Sequence, residues 1–396
     1  MKSGLLSFAL LLGTALAAPL AINSAAPAAA QAASGSQTLT PATIAAIDSI
    51  AKEAVRSGQT AGLAVGVSVN GSPVLVRGYG AADLEHGVPV TQRTVFRTGS
   101  VTKQFTAAAI LLLAEDGKLS VDDPLSKFFP DFPRASEVTV RELLTHTGGV
   151  RNYTAVEDYF PTLGRQDLTT EQMVDYIAKL EKPYDFDPGT SWSYSNSGYF
   201  LLGAIIEKLS GQSYAAFMKA RIFDPLGLSD TAVDDTTELV PHRADGYEVV
   251  KDAPGKYTNT TYIAMGAAAA AGAIRSTVGD LLKWQNALLG GKLLKPGSLA
   301  MMIEPVKLKN GSLSGTARKP DPAGRPPSEY GFGLSMRTED GRRVIGHGGN
   351  INGFNSYTQN FPDQKVSIAV LANTGGRPAG EAGTKIAEAI FGTKGK

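Results

Sequence analysis

The chain has 396 residues, 43% of them hydrophobic, enough to bury a large core as one big domain or two small ones. Its 38 Lys and Arg stand against 37 Asp and Glu, so the net charge is +1 and no global field draws in nucleic acid or anionic lipid. The absence of cysteine excludes thiol nucleophiles, disulfides and thiolate metal sites, and His86, His146, His242 and His347 form no local zinc spacing, so neither metal nor cofactor is expected.

In chain order, Lys2 and an apolar run over 5–16, too short to span a bilayer, predict a secretory signal peptide. Cleavage-like small residues occur at Ala15-Leu16-Ala17 and Ala30-Gln31-Ala32. The second site gives a leader over 1–32, and with no stop-transfer pattern a periplasmic or secreted bacterial protein without lasting membrane association is expected. Thr40-Pro41 reads as an N-cap and first turn, with Ile44, Ile47, Ala51 and Ala54 at helical spacing as far as Gly58. Residues 61–69 and 74–79, rich in Val and Leu and parted by Asn70-Gly71-Ser72-Pro73, predict a β-hairpin. A long Ala/Leu helix follows over 100–115, ended by Gly117, and helical patterns continue over 138–145, 171–180, 198–209 and 213–222. Residues 310–328 crowd Gly, Pro and charge without periodicity and read as a surface loop or lid. Strand-like segments return at 343–346, 355–361 and 366–372 before a closing helix over 381–390.

This order predicts an α/β chain of the α+β kind. An antiparallel sheet takes strands from both chain ends and carries the N- and C-terminal helices, while a mostly helical subdomain, roughly 95–290, is inserted beside it within one domain over 37–392.

Three short motifs can carry chemistry. Ser100-Val101-Thr102-Lys103 opens the Ala/Leu helix, so hydroxyl and amine share one face, and the helix N-terminus favours an oxyanion beside the serine. Ser49-Ile50-Ala51-Lys52 repeats the pattern in mid-helix, so S-x-x-K alone is ordinary. Tyr194-Ser195-Asn196 lies between the turn at Pro188-Gly189 and a helix, a connection that can aim side chains. Acting as a base, that tyrosine needs a nearby cation, which Lys103 supplies if the two converge. Tyr257-Thr258-Asn259 repeats the motif in a polar stretch with no helix behind it. His347-Gly348-Gly349 ends a strand-like run, where two glycines let a substrate backbone approach an edge strand. His146-Thr147-Gly148 repeats it after a helix and reads as a structural C-terminal cap with Gly149.

The ordered set of S-x-x-K, Y-x-N and H-x-G resembles the serine β-lactamase and penicillin-recognising superfamily, in the branch of class C β-lactamases, D-alanyl-D-alanine carboxypeptidases, D-aminopeptidases and related esterases. The likeness extends to Phe96-Arg97-Thr98-Gly99, Asp122-Asp123-Pro124-Leu125, the run from Leu143 to Gly149, and Pro225-Leu226-Gly227-Leu228. It implies a β-lactamase/transpeptidase-like fold and an acyl-enzyme on Ser100. Lys103 and Tyr194 would share the proton, each favouring the other's charged form. Asn196, His347 and Gly349 would bind substrate, and the backbone N–H groups of Ser100 and Asn350 would form the oxyanion hole. Class C β-lactamases carry K-T-G where this chain has His347-Gly348-Gly349, and a partly charged histidine grips a carboxylate less firmly than lysine unless Arg342 or Arg343 replaces the cation. The expectation is therefore an exported serine hydrolase taking a small-molecule or peptide substrate, chiefly D-amino-acid peptides, of carboxypeptidase or D-peptidase type. A carboxylesterase, a β-lactamase and a non-catalytic penicillin-fold binding protein are the alternatives, the last disfavoured because all three motifs are intact.

Overall fold

A computed structural model describes residues 39–314 and 328–392, so the expected leader and all of the 310–328 loop except its two ends lie outside the described residues. The predicted hairpin forms from strands Gly62–Val69 and Ser72–Asp83, joined through Asn70 and Gly71, whose φ values of 51° and 78° suit a tight hairpin turn. Beside Gly62–Val69 lies not a neighbour in sequence but Val366–Ala372, with Leu63 opposite Ala372 and Val69 opposite Val366. The sheet continues outward through Phe354–Phe361, Arg342–Ile351, Ser335–Glu339 and Glu329–Tyr330, and on the other side ends at Val88–Pro89. Every neighbouring pair is antiparallel.

The central strands are near-continuous apolar runs because both faces are covered. Leu63, Val65, Val67, Ile368 and Val370 pack with Ile47, Ala51 and Ile386 of the terminal helices Pro41–Arg56 and Pro378–Phe391. Ala64, Ala369 and Leu371 face the opposite way, into a core shared with Leu281 and Leu282 of helix Val278–Leu289 and with the helical subdomain. In that subdomain the helix Thr102–Glu115 is buried from Thr102 to Leu113 and packs against Asn196–Ser210, which explains why its sequence lacks a polar stripe.

Several local boundaries differ from the sequence reading. Ser100 lies in a 3-10 turn, Gly99–Val101, and the α-helix begins after it. The segment 213–222 divides into an α-helix, Tyr214–Met218, and a π-turn, Lys219–Phe223. The strand expected to end at Gly346 runs on to Ile351, carrying the H-G-G motif inside it. Its partner Ser335–Glu339 pairs only as far as Gly346, so among the described residues the strand has a strand neighbour on both sides along its first half and on one side from His347 onward.

Candidate active site

The Ser100 turn and the second half of that strand meet backbone to backbone. Gly99 has φ 51°, and a Cβ there would stand 2.9 Å from the Asn350 backbone. A Cβ on Gly349 would lie 2.0 Å from the Thr98 carbonyl oxygen and 3.0 Å from the Ser100 nitrogen. Ser356 on the next strand donates to the Thr98 carbonyl at 2.6 Å and pins the turn. The glycine pair was expected to admit a substrate backbone. Instead Gly349 lets the protein close on itself, while Gly348 is exposed and has room for a side chain. Ser100 and Asn350 thereby line the same two clefts.

Lys103, one turn along from Ser100, is fully buried, and burial holds its amine well below the usual lysine range. Its Nζ lies 3.2 Å from Ser100 Oγ, 2.8 Å from Asn196 Oδ1 and 2.7 Å from the Ala271 carbonyl. A neutral amine has two N–H groups and one lone pair, and carbonyl oxygens only accept. In its neutral form, which burial favours, the amine gives its N–H groups to the two carbonyls and turns its lone pair to the Ser100 hydroxyl; as an ammonium it donates to all three. The Ala271 carbonyl reaches this point because helix Met265–Gly272 breaks at Ala269, where φ is 34° and ψ −129°. The rings of Tyr194 and Tyr199 present their faces to Nζ at 4.7 and 5.4 Å, where they stabilise a cation once a proton arrives. Burial thus opposes the charged form that the expected ammonium–phenolate pair requires, while the aromatic faces favour it.

Asn196 opens its helix, with Ser195 as N-cap. Its Nδ2 donates to Thr154 Oγ1 at 2.9 Å while Oδ1 accepts from Lys103, so the amide is fixed in one orientation. Tyr194, just before it, lies 4.3 Å ring to ring from His146. The backbone at His146 caps its helix as expected, with φ 61°, but the side chain is more than a cap: Nδ1 accepts from the Ser195 N–H at 3.1 Å and the ring backs Tyr194. Sequence offered only a second H-x-G as a signal for this residue.

His347 lines the smaller cleft, but both ring nitrogens face protein. Nδ1 is 2.5 Å from the Gly348 carbonyl, which only accepts, so Nδ1 carries a hydrogen. Nε2 is 2.9 Å from the hydroxyl of buried Tyr330. Neither Arg342 nor Arg343 replaces the lost lysine. Arg342 stacks on Phe391, 4.8 Å to the ring centroid, and Arg343 donates to the Ile303 carbonyl at 3.0 Å. The cations that do line this cleft are Arg337 and Arg377, the first held by Glu339 at 2.6 Å and the Tyr357 hydroxyl at 2.7 Å.

Two clefts thus flank Ser100. One, about 550 Å³, is bounded by Asn196 and apolar side chains. The other, about 390 Å³, is bounded by Tyr194, His347 and the two arginines. The second S-x-x-K match lies on the first helix and the second Y-x-N match on the hairpin strand Tyr257–Asn259, neither of them lining these clefts. Among the described residues no three His, Asp or Glu converge into a metal-binding group, and no helix is long and apolar enough to cross a membrane.

A family model described as Beta-lactamase matches residues 47–391. Penicillin-binding protein 4* of Bacillus subtilis (strain 168) is 30% identical over 306 residues, covering 74% of this chain and 64% of that protein. The chain spans somewhat less than two thirds of the length of the curated relatives it matches. The structure of D-amino acid amidase from Ochrobactrum anthropi SV3 complexed with D-phenylalanine is similar at TM-score 0.76 and 28% identity, over 88% of this chain and 98% of that one. D-stereospecific amidohydrolase from Streptomyces sp. is similar at TM-score 0.71 and 29% identity, over 88% and 98%.

Proposed function

The chain belongs to the beta-lactamase family, and from that premise we propose that it is an exported serine hydrolase that cleaves D-amino-acid peptides or related amides through an acyl-enzyme on Ser100. The observation that carries this reading is the buried Lys103 amine, 3.2 Å from the Ser100 hydroxyl and held there by the Asn196 and Ala271 carbonyls. Ser100 Oγ attacks the substrate carbonyl carbon as its proton passes to Lys103 Nζ. The negative oxygen that forms is met by the backbone N–H groups of Ser100 and Asn350. The new ammonium is stabilised where it stands by two carbonyl oxygens and two aromatic faces. Collapse breaks the C–N bond, and the proton is handed through the Tyr194 hydroxyl to the departing nitrogen. Water then repeats the sequence on the ester and frees Ser100.

Tyr194 lines only the smaller cleft, so the leaving amine sits there and the acyl group occupies the larger one. Arg377 on the smaller cleft favours a leaving group that bears a carboxylate, since Arg337 beside it is already paired with Glu339, and this supports a carboxypeptidase or D-peptidase over a simple esterase. The relatives titled D-amino acid amidase and D-stereospecific amidohydrolase support the D configuration. The leader expected over 1–32 supports export. Initial rates on a D-alanyl-D-alanine-terminated peptide, a D-amino-acid amide, their L counterparts and a p-nitrophenyl ester test the reading. Preference for D over L peptides or amides is expected. Hydrolysis of the ester alone, without stereochemical preference, would move the protein to the carboxylesterases.

A further inference from the structure

The larger cleft follows the strand from Ser100 past Asn350 and Ile351 toward the turn at Asn352. Its walls are largely apolar, with Phe160, Ile263, Ala267 and Ala268 among them, and of the described residues that line it only Glu248 is charged. Glu248 stands on the short strand Tyr247–Val249, which packs against the end of the main sheet. Its Oε1 accepts from the Gly353 N–H at 3.0 Å and from Thr260 Oγ1 at 3.1 Å. Both donors use the same oxygen. Among the described residues Oε2 has no hydrogen-bond donor and no Lys, Arg or His forms an ion pair with the carboxylate. The space for Oε2 is provided by a glycine, since a Cβ on Gly375 would stand 2.3 Å from it.

A half-buried carboxylate in an apolar cleft, satisfied on one oxygen only, favours a cationic ligand. Distance decides which cation. Gly353, the donor to Glu248, is three steps along the chain from Asn350, beside Ser100, a span of at most about 10 Å at about 3.3 Å per strand residue. An α-amino group stands two bonds from the scissile carbonyl carbon and falls far short. A lysine-like side chain carries its nitrogen six bonds away, about 8 Å when extended, and a charge-assisted hydrogen bond of about 2.8 Å closes the remainder.

We propose that this cleft is an acyl-side subsite for a substrate bearing a side-chain ammonium, of the lysine or other diamino-acid type, with Glu248 Oε2 as its counter-ion. The proposal rests on the reading that Ser100 takes the acyl group and that this group occupies the larger cleft. The preferred substrate is therefore one whose acyl residue, and not only its leaving group, is charged.

A matched pair of boronic acids tests it: a straight-chain alkylboronic acid, and its counterpart with an ammonium six bonds from boron, titrated calorimetrically into the full chain. Boron stands where the scissile carbon would, bonded to the Ser100 oxygen. The wild-type protein is expected to bind the ammonium compound about tenfold tighter or more, a preference that shrinks with added salt. Glu248→Gln keeps Oε1 as acceptor for Gly353 and Thr260 and is expected to erase the preference while leaving affinity for the neutral compound unchanged. Equal affinities in the wild type, a preference indifferent to salt, or one that survives Glu248→Gln overturns the subsite. Ser100→Ala separates the two readings: if it binds both compounds as tightly as wild type, the nucleophile assignment falls while the Glu248 preference is still read from the pair. No binding of either compound to the wild type overturns both.

Discussion

Lys103 is held by two carbonyl oxygens and one hydroxyl, and desolvation is what lowers its affinity for a proton. Such a lysine is a liability to the fold and an asset to the reaction. In the unfolded chain its amine titrates near the ordinary 10.5, and in the folded chain well below. Between those values the unfolded state binds one more proton, so this residue makes stability rise with pH until the ordinary lysine range is passed, where its penalty vanishes. Lys103→Met should therefore be more stable than wild type in urea at pH 7, with the gain fading as pH approaches 10.5, and its acylation rate should fall by about 10²–10⁴. A stability gain that does not change with pH would contradict the lowered proton affinity of Lys103. Tyr330 shows a different economy at the same scale. Its hydroxyl engages His347 Nε2, so a ligand reaching that nitrogen competes with a contact within the protein.

At the scale of elements, the site is a junction between the turn Gly99–Val101 and the strand Arg342–Ile351. Gly349→Ala drives a methyl against the Thr98 carbonyl and the Ser356 hydroxyl that is bonded to it, with the Ser100 nitrogen close behind. We expect a loss of about 1–3 kcal/mol of stability, the scale of overpacking, and a larger proportional loss of activity as Ser100 moves from Asn350. Gly348→Ala is the control. Its Cβ would first meet the Tyr357 ring at 3.7 Å, so denaturant midpoints near wild type are expected for it alone. The same junction separates what the sequence made legible from what it did not. Helices with a capped start, the Asn70-Gly71 hairpin and the apolar central strands follow local rules, and S-x-x-K, Y-x-N and H-x-G name their own side chains. Strand Ser335–Glu339 was missed because Ser, Arg, Thr and Glu at its positions give no apolar run. The Ala271 carbonyl was missed because a backbone acceptor has no residue signature, and His146 and Glu248 because only tertiary convergence gives their side chains a task.

At the scale of the whole molecule, the serine depends on contacts far apart in sequence, as in the Ser356 bond to Thr98 across 258 positions. A second long-range tie stands directly behind it. Asp234, 1% exposed, holds Arg97 at 2.8 Å, Arg243 at 2.8 Å and Arg275 at 3.3 Å, joining the strand that leads into Ser100 to strand Ile274–Ser276. Asp234→Ala leaves those guanidinium groups without their shared carboxylate and should destabilise the protein by about 3–5 kcal/mol in chemical denaturation. A change under about 1 kcal/mol would show that the arginines find water or Glu238 instead. Both ties serve one end, the placement of a hydroxyl against a buried amine. The most direct measurement is the intact mass of the protein quenched seconds after mixing with a p-nitrophenyl ester, followed by peptide mapping. The account predicts a single acyl increment on Ser100, and in a folded Ser100→Ala protein no increment and turnover reduced on the order of 10⁶-fold. Undiminished turnover in Ser100→Ala, or an acyl group mapped to another residue, would contradict it.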